Sequence, residues 1–116
     1  VRKVCPVCNE KKTVSDSERN SLRGIFPDKL LYSAKDFYYG KGCDKCGQSG
    51  YRGRLGVYEV MVVDESIREA FLRRASAIEI RQLAISKGMT PMIEDGFRKA
   101  VSGLTTIEEV LRVIHE

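Results

Sequence analysis

The chain has 116 residues, 42% of them hydrophobic, which suits one ordinary domain or two small modules with a modest core. No apolar run approaches the ~20 residues that a transmembrane helix needs, and no signal peptide opens the sequence, so we expect no direct insertion into a membrane. The formal net charge of +4 combines +6 in residues 1–54 with −2 in residues 55–116, a basic bias too weak to indicate nucleic-acid binding.

All four cysteines fall into two Cys-x-x-Cys pairs, at residues 5–8 and 43–46, which we call the first and second knuckle. A two-residue gap lets one tight turn direct two sulfurs at a single ion, and two such knuckles supply the ligands of a closed, tetrahedral structural zinc site. Glycines around the second knuckle permit the turns that this geometry requires. The sequence therefore predicts one structural Zn²⁺, held by Cys5, Cys8, Cys43 and Cys46.

Three other uses of these cysteines are open. Disulfides suit small secreted proteins, but without a secretory signal we expect reduced thiols. A thioredoxin-like redox pair would need a βαβ pattern, which surrounds neither knuckle, and an iron–sulfur cluster would also take four cysteines. The paired knuckles favour zinc, and a four-thiolate site leaves no open position for a catalytic water.

The 34 residues between the knuckles exceed a usual zinc-ribbon loop and are expected to have structure of their own. A capping box at residues 15–18 predicts a short helix over residues 16–23, which Gly24 stops. The aromatic residues 37–39 predict a strand or extended arm that enters the second knuckle. Their tyrosines could stack on nucleic-acid bases, but we expect them to pack around the zinc lobe.

Residues 55–63, LGVYEVMVV, are apolar at nearly every position and rich in β-branched side chains. This composition predicts a strand that is buried on both faces. Such a strand needs a sheet to join, so we expect it to pair with residues 37–39 or with a strand outside the chain.

Four short amphipathic helices are predicted after this strand, each with apolar residues at helical spacing. Capping residues, a proline at a first helical position and terminal glycines mark their ends. The first predicted helix runs from Asp64 to about Arg74, the second from Ser76 to Gly88 and the third from Thr90-Pro91 to Gly103. The fourth begins at Thr105-Thr106.

The predicted fold class is α+β and mostly helical. A small tetracysteine zinc-binding lobe over residues 1–54 is followed, over residues 55–116, by a strand and a small bundle of three to four short helices. The sequence contains no GxxxxGK[ST], GxSxG or HExxH motif, and its one histidine, His115, lies at the end of the last helix. We therefore expect no catalysis by this chain.

A long motif carries a family likeness. The sequence GCDKCGQSGYRGRLGVYE at residues 42–59, after CPVC at residues 5–8, resembles the C-terminal part of secretion-motor ATPases. These are the type II secretion ATPases (general secretion pathway protein E) and the type IV pilus assembly ATPases. The tail GMTPMIEDGFRKAVSGLTTIEEVLRV, residues 88–113, resembles the terminal stretch of the same family. The resemblance covers essentially the whole chain, and the combined motif is specific.

This resemblance implies a part in a cytoplasmic, hexameric ATPase that powers type II secretion or type IV pilus assembly, peripheral to the inner membrane. ATP and Mg²⁺ would bind to motifs upstream of the tetracysteine site in the full-length parent. This sequence, which begins at Val1 without Met, would be its C-terminal fragment, with a structural and mechanical role. Its partners would be the remainder of the motor, neighbouring subunits and an inner-membrane platform protein, with no nucleic acid.

Four arginines are candidates for an interface or coupling role. Next to a motor core, Arg52 and Arg54 would contact a neighbouring subunit or a nucleotide phosphate. The alternative, which we favour, is that they bond to carboxylates or carbonyls and brace the knuckle against the tail. Arg68 and Arg73 fall in the helix after the strand, where related retraction motors carry an Ile-Arg-bearing motif, so the resemblance implies a coupling role for them.

Two other functions are open. A zinc-ribbon module could bind nucleic acid, with an affinity that falls steeply with salt. Its contacts would be Lys11, Lys12, Lys41, Lys45, Arg52 and Arg54. A chaperone-type zinc knuckle is the third possibility, because the stretch CGQSG loosely matches glycine-rich zinc repeats, but those occur as several copies. The long motif favours the secretion motor.

Overall fold

The computed structural model describes residues 1–115, in which four strands and six helices form. In chain order these are β1 (Arg2–Val4), β2 (Asn9–Thr13), α1 (Asp16–Leu22), α2 (Asp28–Ser33), β3 (Asp36–Gly40), β4 (Tyr51–Arg54), α3 (Glu65–Leu72), α4 (Ala77–Ser86), α5 (Met92–Val101) and α6 (Ile107–Ile114). A 3₁₀ turn at Asp44–Cys46 lies between β3 and β4. The predicted α+β, mostly helical class is confirmed.

The strands form two antiparallel pairs whose ends meet at the knuckles. In the β1–β4 ribbon Arg2 lies opposite Arg54, and in the β2–β3 pair Asn9 lies opposite Gly40. The first knuckle connects β1 to β2, and the second connects β3 to β4. Because each knuckle joins one pair to the other, strand pairing alone brings the two knuckles side by side.

The helices begin where the capping residues predict. The side chains of Ser15, Asp64, Ser76 and Thr106 each accept a hydrogen bond from the backbone N–H three residues later. One start is corrected: Pro91, not Thr90, is the N-cap of α5, because Pro91 has extended backbone angles and helical geometry begins at the next residue. The four C-terminal helices pack chiefly as two pairs, α3 with α4 and α5 with α6.

The strand predicted over residues 55–63 is wrong for this chain, in which these residues have no regular secondary structure. One rung extends the β1–β4 ribbon: Leu55 N–H donates to the Val1 carbonyl (2.8 Å), and Val1 N donates back to Leu55 O (2.9 Å). Beyond it the described chain offers no neighbouring strand. The segment is instead attached to α5, because Asp95 accepts from Tyr58 N–H (2.9 Å) and Lys99 donates to the carbonyl of Gly56 (2.8 Å).

The main apolar core lies between the region that separates the knuckles and the last two helices. Phe97 of α5 packs against Phe26 and Phe37, with ring centroids 4.8 and 6.0 Å away. The other buried members are Val14, Leu22, Leu31, Ala34, Ala100, Ile107 and Val110. This core therefore combines residues from both sides of the boundary predicted at residues 54 and 55, and the division into two domains stays a prediction.

Candidate metal centre

The sulfur atoms of the four cysteines converge at one point, all within 4.8 Å of one another. Sγ–Sγ distances are 3.8 Å for Cys5–Cys43, 3.8 Å for Cys8–Cys46 and 3.7 Å for Cys43–Cys46. A tetrahedral ion with zinc–sulfur bonds of about 2.3 Å holds its sulfurs about 3.8 Å apart. A disulfide would need about 2.0 Å, so none of these pairs is bonded, and the donor set fits a four-thiolate zinc ion.

Backbone N–H groups around the second knuckle point at the sulfurs. Cys43 and Gly50 donate to Cys46 Sγ at 3.3 and 3.2 Å, and Gly42 donates to Cys8 Sγ at 3.3 Å. Gly47 closes the 3₁₀ turn with a φ of 64°, in the left-handed region that favours glycine. N–H donors directed at sulfur stabilise its thiolate form, so the backbone favours the charge state that a metal ligand needs.

The thiol pKa values differ within this cluster. Burial opposes ionisation of Cys46, but the N–H groups of Cys43 and Gly50 outweigh it and lower its pKa to about 6. At Cys8 burial dominates, and with the thiols of Cys43 and Cys46 it raises the pKa to about 12. Four thiolates in so small a space repel one another, so ionisation of all four requires a cation between them.

At two glycines, the backbone segments that enter and leave the second knuckle are in direct contact. A Cβ at Gly40, the last residue of β3, would lie 2.0 Å from the carbonyl oxygen of Gly50, and a Cβ at Gly50 would lie 2.4 Å from the carbonyl oxygen of Gly40. The Gly50 carbonyl also accepts a hydrogen bond from Cys5 N–H at 2.9 Å. The end of β3, the second knuckle and the first knuckle therefore meet at Gly50.

Gly40→Ala is expected to destabilise the chain by about 2–3 kcal/mol and to weaken metal binding, because the new methyl group forces these backbones apart. Gly47→Ala is the matched control: its Cβ meets no heavy atom within 4 Å, so only the left-handed backbone opposes it, at about 1 kcal/mol. Denaturant unfolding of the zinc-loaded variants measures both. Equal free energies of unfolding would show that the contact between Gly40 and Gly50 is unimportant.

The candidate arginines lie on exposed surfaces. The side chains of Arg52 and Arg54 form no hydrogen bond or ion pair within residues 1–115, so the bracing bonds that we favoured for them are absent there. Arg68 pairs with Glu65 at 3.0 Å and Arg73 with Glu79 at 2.6 Å, and all four side chains of these two pairs are more than half exposed. Their interface or coupling role stays a prediction.

The bracing is done by residues that sequence analysis missed. Glu109 on α6 is buried, with a side chain 2% exposed, and pairs with Arg2 of β1 at 2.6 Å and with Arg112 at 3.0 Å. Burial alone would raise its pKa, but the guanidinium groups of Arg112 and Arg2 hold that pKa at about 2. The Thr106-to-Glu109 spacing signals a capping box, but no local signal could reveal a partner 107 positions away.

Fold and site together define a tetracysteine α+β protein, and comparisons with known proteins place it in a family. The Type II/IV secretion system protein family matches residues 1–112. The chain therefore belongs to this family.

Named relatives cover almost the whole chain. It is 40% identical over 111 residues to the type IV pilus assembly ATPase PilB of Thermus thermophilus, a match that covers 96% of the chain and 12% of that protein. It is 38% identical over 117 residues to the type II secretion system protein E of Pseudomonas aeruginosa, covering 100% of the chain and 22% of that protein. The chain thus spans about a fifth or less of the length of these relatives. Within residues 1–115, none of the helices has the length and apolarity to cross a bilayer.

Proposed function

We propose that this chain is the C-terminal metal-binding and helical region of an ATPase that powers type II secretion or type IV pilus assembly. Its role is structural and mechanical, and catalysis lies elsewhere in the parent protein. The observation that carries the proposal is the convergence of four cysteine sulfurs, all within 4.8 Å of one another, within a chain that belongs to the Type II/IV secretion system protein family.

Cys5, Cys8, Cys43 and Cys46 would hold one Zn²⁺. Bound there, the ion supplies a crosslink between the two knuckles and leaves no open coordination position for a substrate. Within this chain the N–H groups of Gly42, Cys43 and Gly50 orient the sulfurs and favour their thiolate forms. The metal therefore holds the fold and takes no part in a reaction.

The segment of residues 55–63 would join the parent protein's larger sheet. Four of its large apolar side chains are exposed, with Val60 71% exposed and Val62 77% exposed, which is unfavourable unless another surface covers them. The antiparallel hydrogen bonds between Val1 and Leu55 support this proposal, because chain added before Val1 could run antiparallel to residues 56 onward. This supports the expectation that the strand completes a sheet supplied mainly by the ATPase core.

In the whole protein, the remainder of the motor would bind ATP and Mg²⁺ and assemble as a hexamer. The motor would be cytoplasmic and peripheral to the inner membrane, and its partners would be neighbouring subunits and a platform protein of the secretion or pilus machine. The exposed arginines at positions 52, 54, 68 and 73 would serve these contacts. This assignment rests on the family and on the relatives' names.

Metal analysis of the purified chain tests the zinc proposal. One zinc per chain is expected in the wild type and in Asp44→Asn, a control within the second knuckle whose side chain is not a ligand. Cys43→Ser should lose most of its metal, because a serine hydroxyl is a poor zinc ligand. A wild type without zinc, or with a disulfide between the knuckles after reducing purification, would contradict the proposal.

Purified alone, the chain is expected to show no ATP turnover and no rise in melting temperature when ATP and Mg²⁺ are added. The reason is that phosphoryl transfer needs a phosphate cradle and a magnesium-holding acid, and neither is found in this sequence. Asp64, which follows residues 55–63, caps α3 instead. Calorimetry that detected specific micromolar binding of ATP would contradict the proposal that nucleotide binding and catalysis lie elsewhere in the parent protein.

A further inference from the structure

A buried carboxylate on α6 holds the strand that leads into the first knuckle. Glu109 accepts hydrogen bonds from Arg2 N–H at 2.8 Å, from its Nε at 2.9 Å and from its Nη2 at 2.6 Å. Arg112, one turn further along α6, donates to both carboxylate oxygens at 3.1 and 3.0 Å. Moving β1 away from α6 would therefore leave a buried negative charge without the three donors of Arg2, which is strongly unfavourable.

Three more hydrogen bonds attach the β1–β4 ribbon to residues 104–106, the turn before α6. Thr105 Oγ1 donates to the Arg2 carbonyl at 2.7 Å, and Val4 N–H donates to the Leu104 carbonyl at 3.0 Å. On the other strand, the hydroxyl of Tyr51 lies 2.9 Å from Thr106 Oγ1, the side chain that caps α6. Both threonines are almost completely buried, so water cannot easily replace these bonds.

The same ribbon ends at the metal ligands. Val4, which bonds to the turn, directly precedes Cys5, and Cys5 N–H donates to the Gly50 carbonyl at 2.9 Å. Gly50 N–H in turn donates to Cys46 Sγ at 3.2 Å, and Gly50 directly precedes β4. The residue that bonds to the α5–α6 turn is therefore the immediate sequence neighbour of the proposed metal ligand Cys5.

From this geometry we infer that the β1–β4 ribbon is a mechanical link between the metal centre and the first turn of α6. Glu109 is the positioning residue of that link. The inference rests on the proposed zinc site and adds to it a route by which metal binding fixes the last helix. The coupling is reciprocal, so a displacement of α6 in the assembled motor would change the affinity of the metal site.

The apolar core offers a competing route, since Ile107 and Val110 of α6 belong to it. The lobe residues of that core lie between positions 14 and 37, which places them outside both knuckles. Metal binding could affect α6 through the core only by way of β2 and β3, whereas the β1–β4 ribbon contacts the turn at residues 104–106 directly. Substituting Glu109 or Thr105 weakens the ribbon route and leaves the apolar core side chains unchanged.

Hydrogen exchange of the full chain, with zinc and after chelation, tests this link. In the wild type, chelation is expected to speed exchange of amides 104–110 by about tenfold, with little change in α4, which lies outside the link. In Glu109→Gln the response at 104–110 should fall below about threefold while metal analysis still finds bound zinc. Thr105→Val removes one hydroxyl and leaves no buried charge unpaired, so it should give an intermediate response. It replaces Glu109→Gln as the test variant if Glu109→Gln does not fold.

Glu79→Gln is the matched control. Like Glu109, Glu79 of α4 follows a capping hydroxyl by three residues and pairs with an arginine. It should respond to chelation as the wild type does. A wild type that binds zinc but shows no response at 104–110 overturns this inference alone, as does a full response in both Glu109→Gln and Thr105→Val. A wild type that binds no zinc overturns the proposed metal site, and the inference with it.

Discussion

Chelation of zinc is expected to open both knuckles and the β1–β4 ribbon, with a large fall in melting temperature, while the apolar core around Phe97 stays closed. Structural zinc sites contribute on the order of 10 kcal/mol to folding, which is comparable to the whole stability of a small domain. Without the ion, residues 5–8 and 42–50 are held mainly by hydrogen bonds, and among them only Cys5 and Gly50 are buried. Residues 14–37, by contrast, share buried side chains with α5 and α6.

The unfolding boundary therefore does not coincide with residue 54. Sequence analysis alone would place all of residues 1–54 in the zinc-dependent part, but the contacts of Phe26 and Phe37 with Phe97 connect that region to the helical tail. Hydrogen exchange before and after chelation measures this directly, and Cys43→Ser should reproduce the chelated pattern without a chelator. Complete loss of protection in residues 14–37 would contradict a core that survives without metal.

The parts of the fold that sequence analysis predicted well are those set by nearby residues. Ser15, Ser76 and Thr106 were identified as helix starts because a capping hydroxyl bonds to a backbone N–H only three residues away. The cysteine cluster was predictable for a similar reason, since two-residue gaps fix each knuckle locally and the zinc donor set needs four sulfurs.

The parts that were missed depend on distant partners. The exposed, polar strand β2 has no apolar alternation, and it is a strand because β3 lies beside it. Residues 55–63 show the converse, because their composition favours a strand but, beyond Leu55, the described chain gives them no neighbouring strand. Glu109 falls among apolar residues of α6, where the sequence gives no sign that Arg2 neutralises it. Local patterns cannot specify which distant segments meet.

Glu109→Ala is expected to lower the free energy of unfolding by about 3 kcal/mol, at the low end of the usual cost of breaking a buried ion pair. The low end applies because the side chains of Arg2 and Arg112 are each 48% exposed, so water can solvate them once the carboxylate is gone. Glu79→Ala, which breaks an exposed pair with Arg73, should cost less than about 1 kcal/mol. Urea unfolding of the zinc-loaded proteins gives both values.

The pH dependence of that difference identifies the charge as its cause. Glu109 has a pKa of about 2 in the folded chain, below its ordinary value of 4.5, so its ionised form is favoured by folding. The stabilisation is therefore complete above about pH 4.5 and is lost as the pH falls toward 2. The difference in unfolding free energy between the wild type and Glu109→Ala should shrink over this range. Zinc release at low pH affects both proteins and largely cancels in the comparison. A difference that stayed constant from pH 6 to pH 3 would mean that Glu109 stabilises the chain by packing, and that its carboxylate charge does not hold β1 against α6.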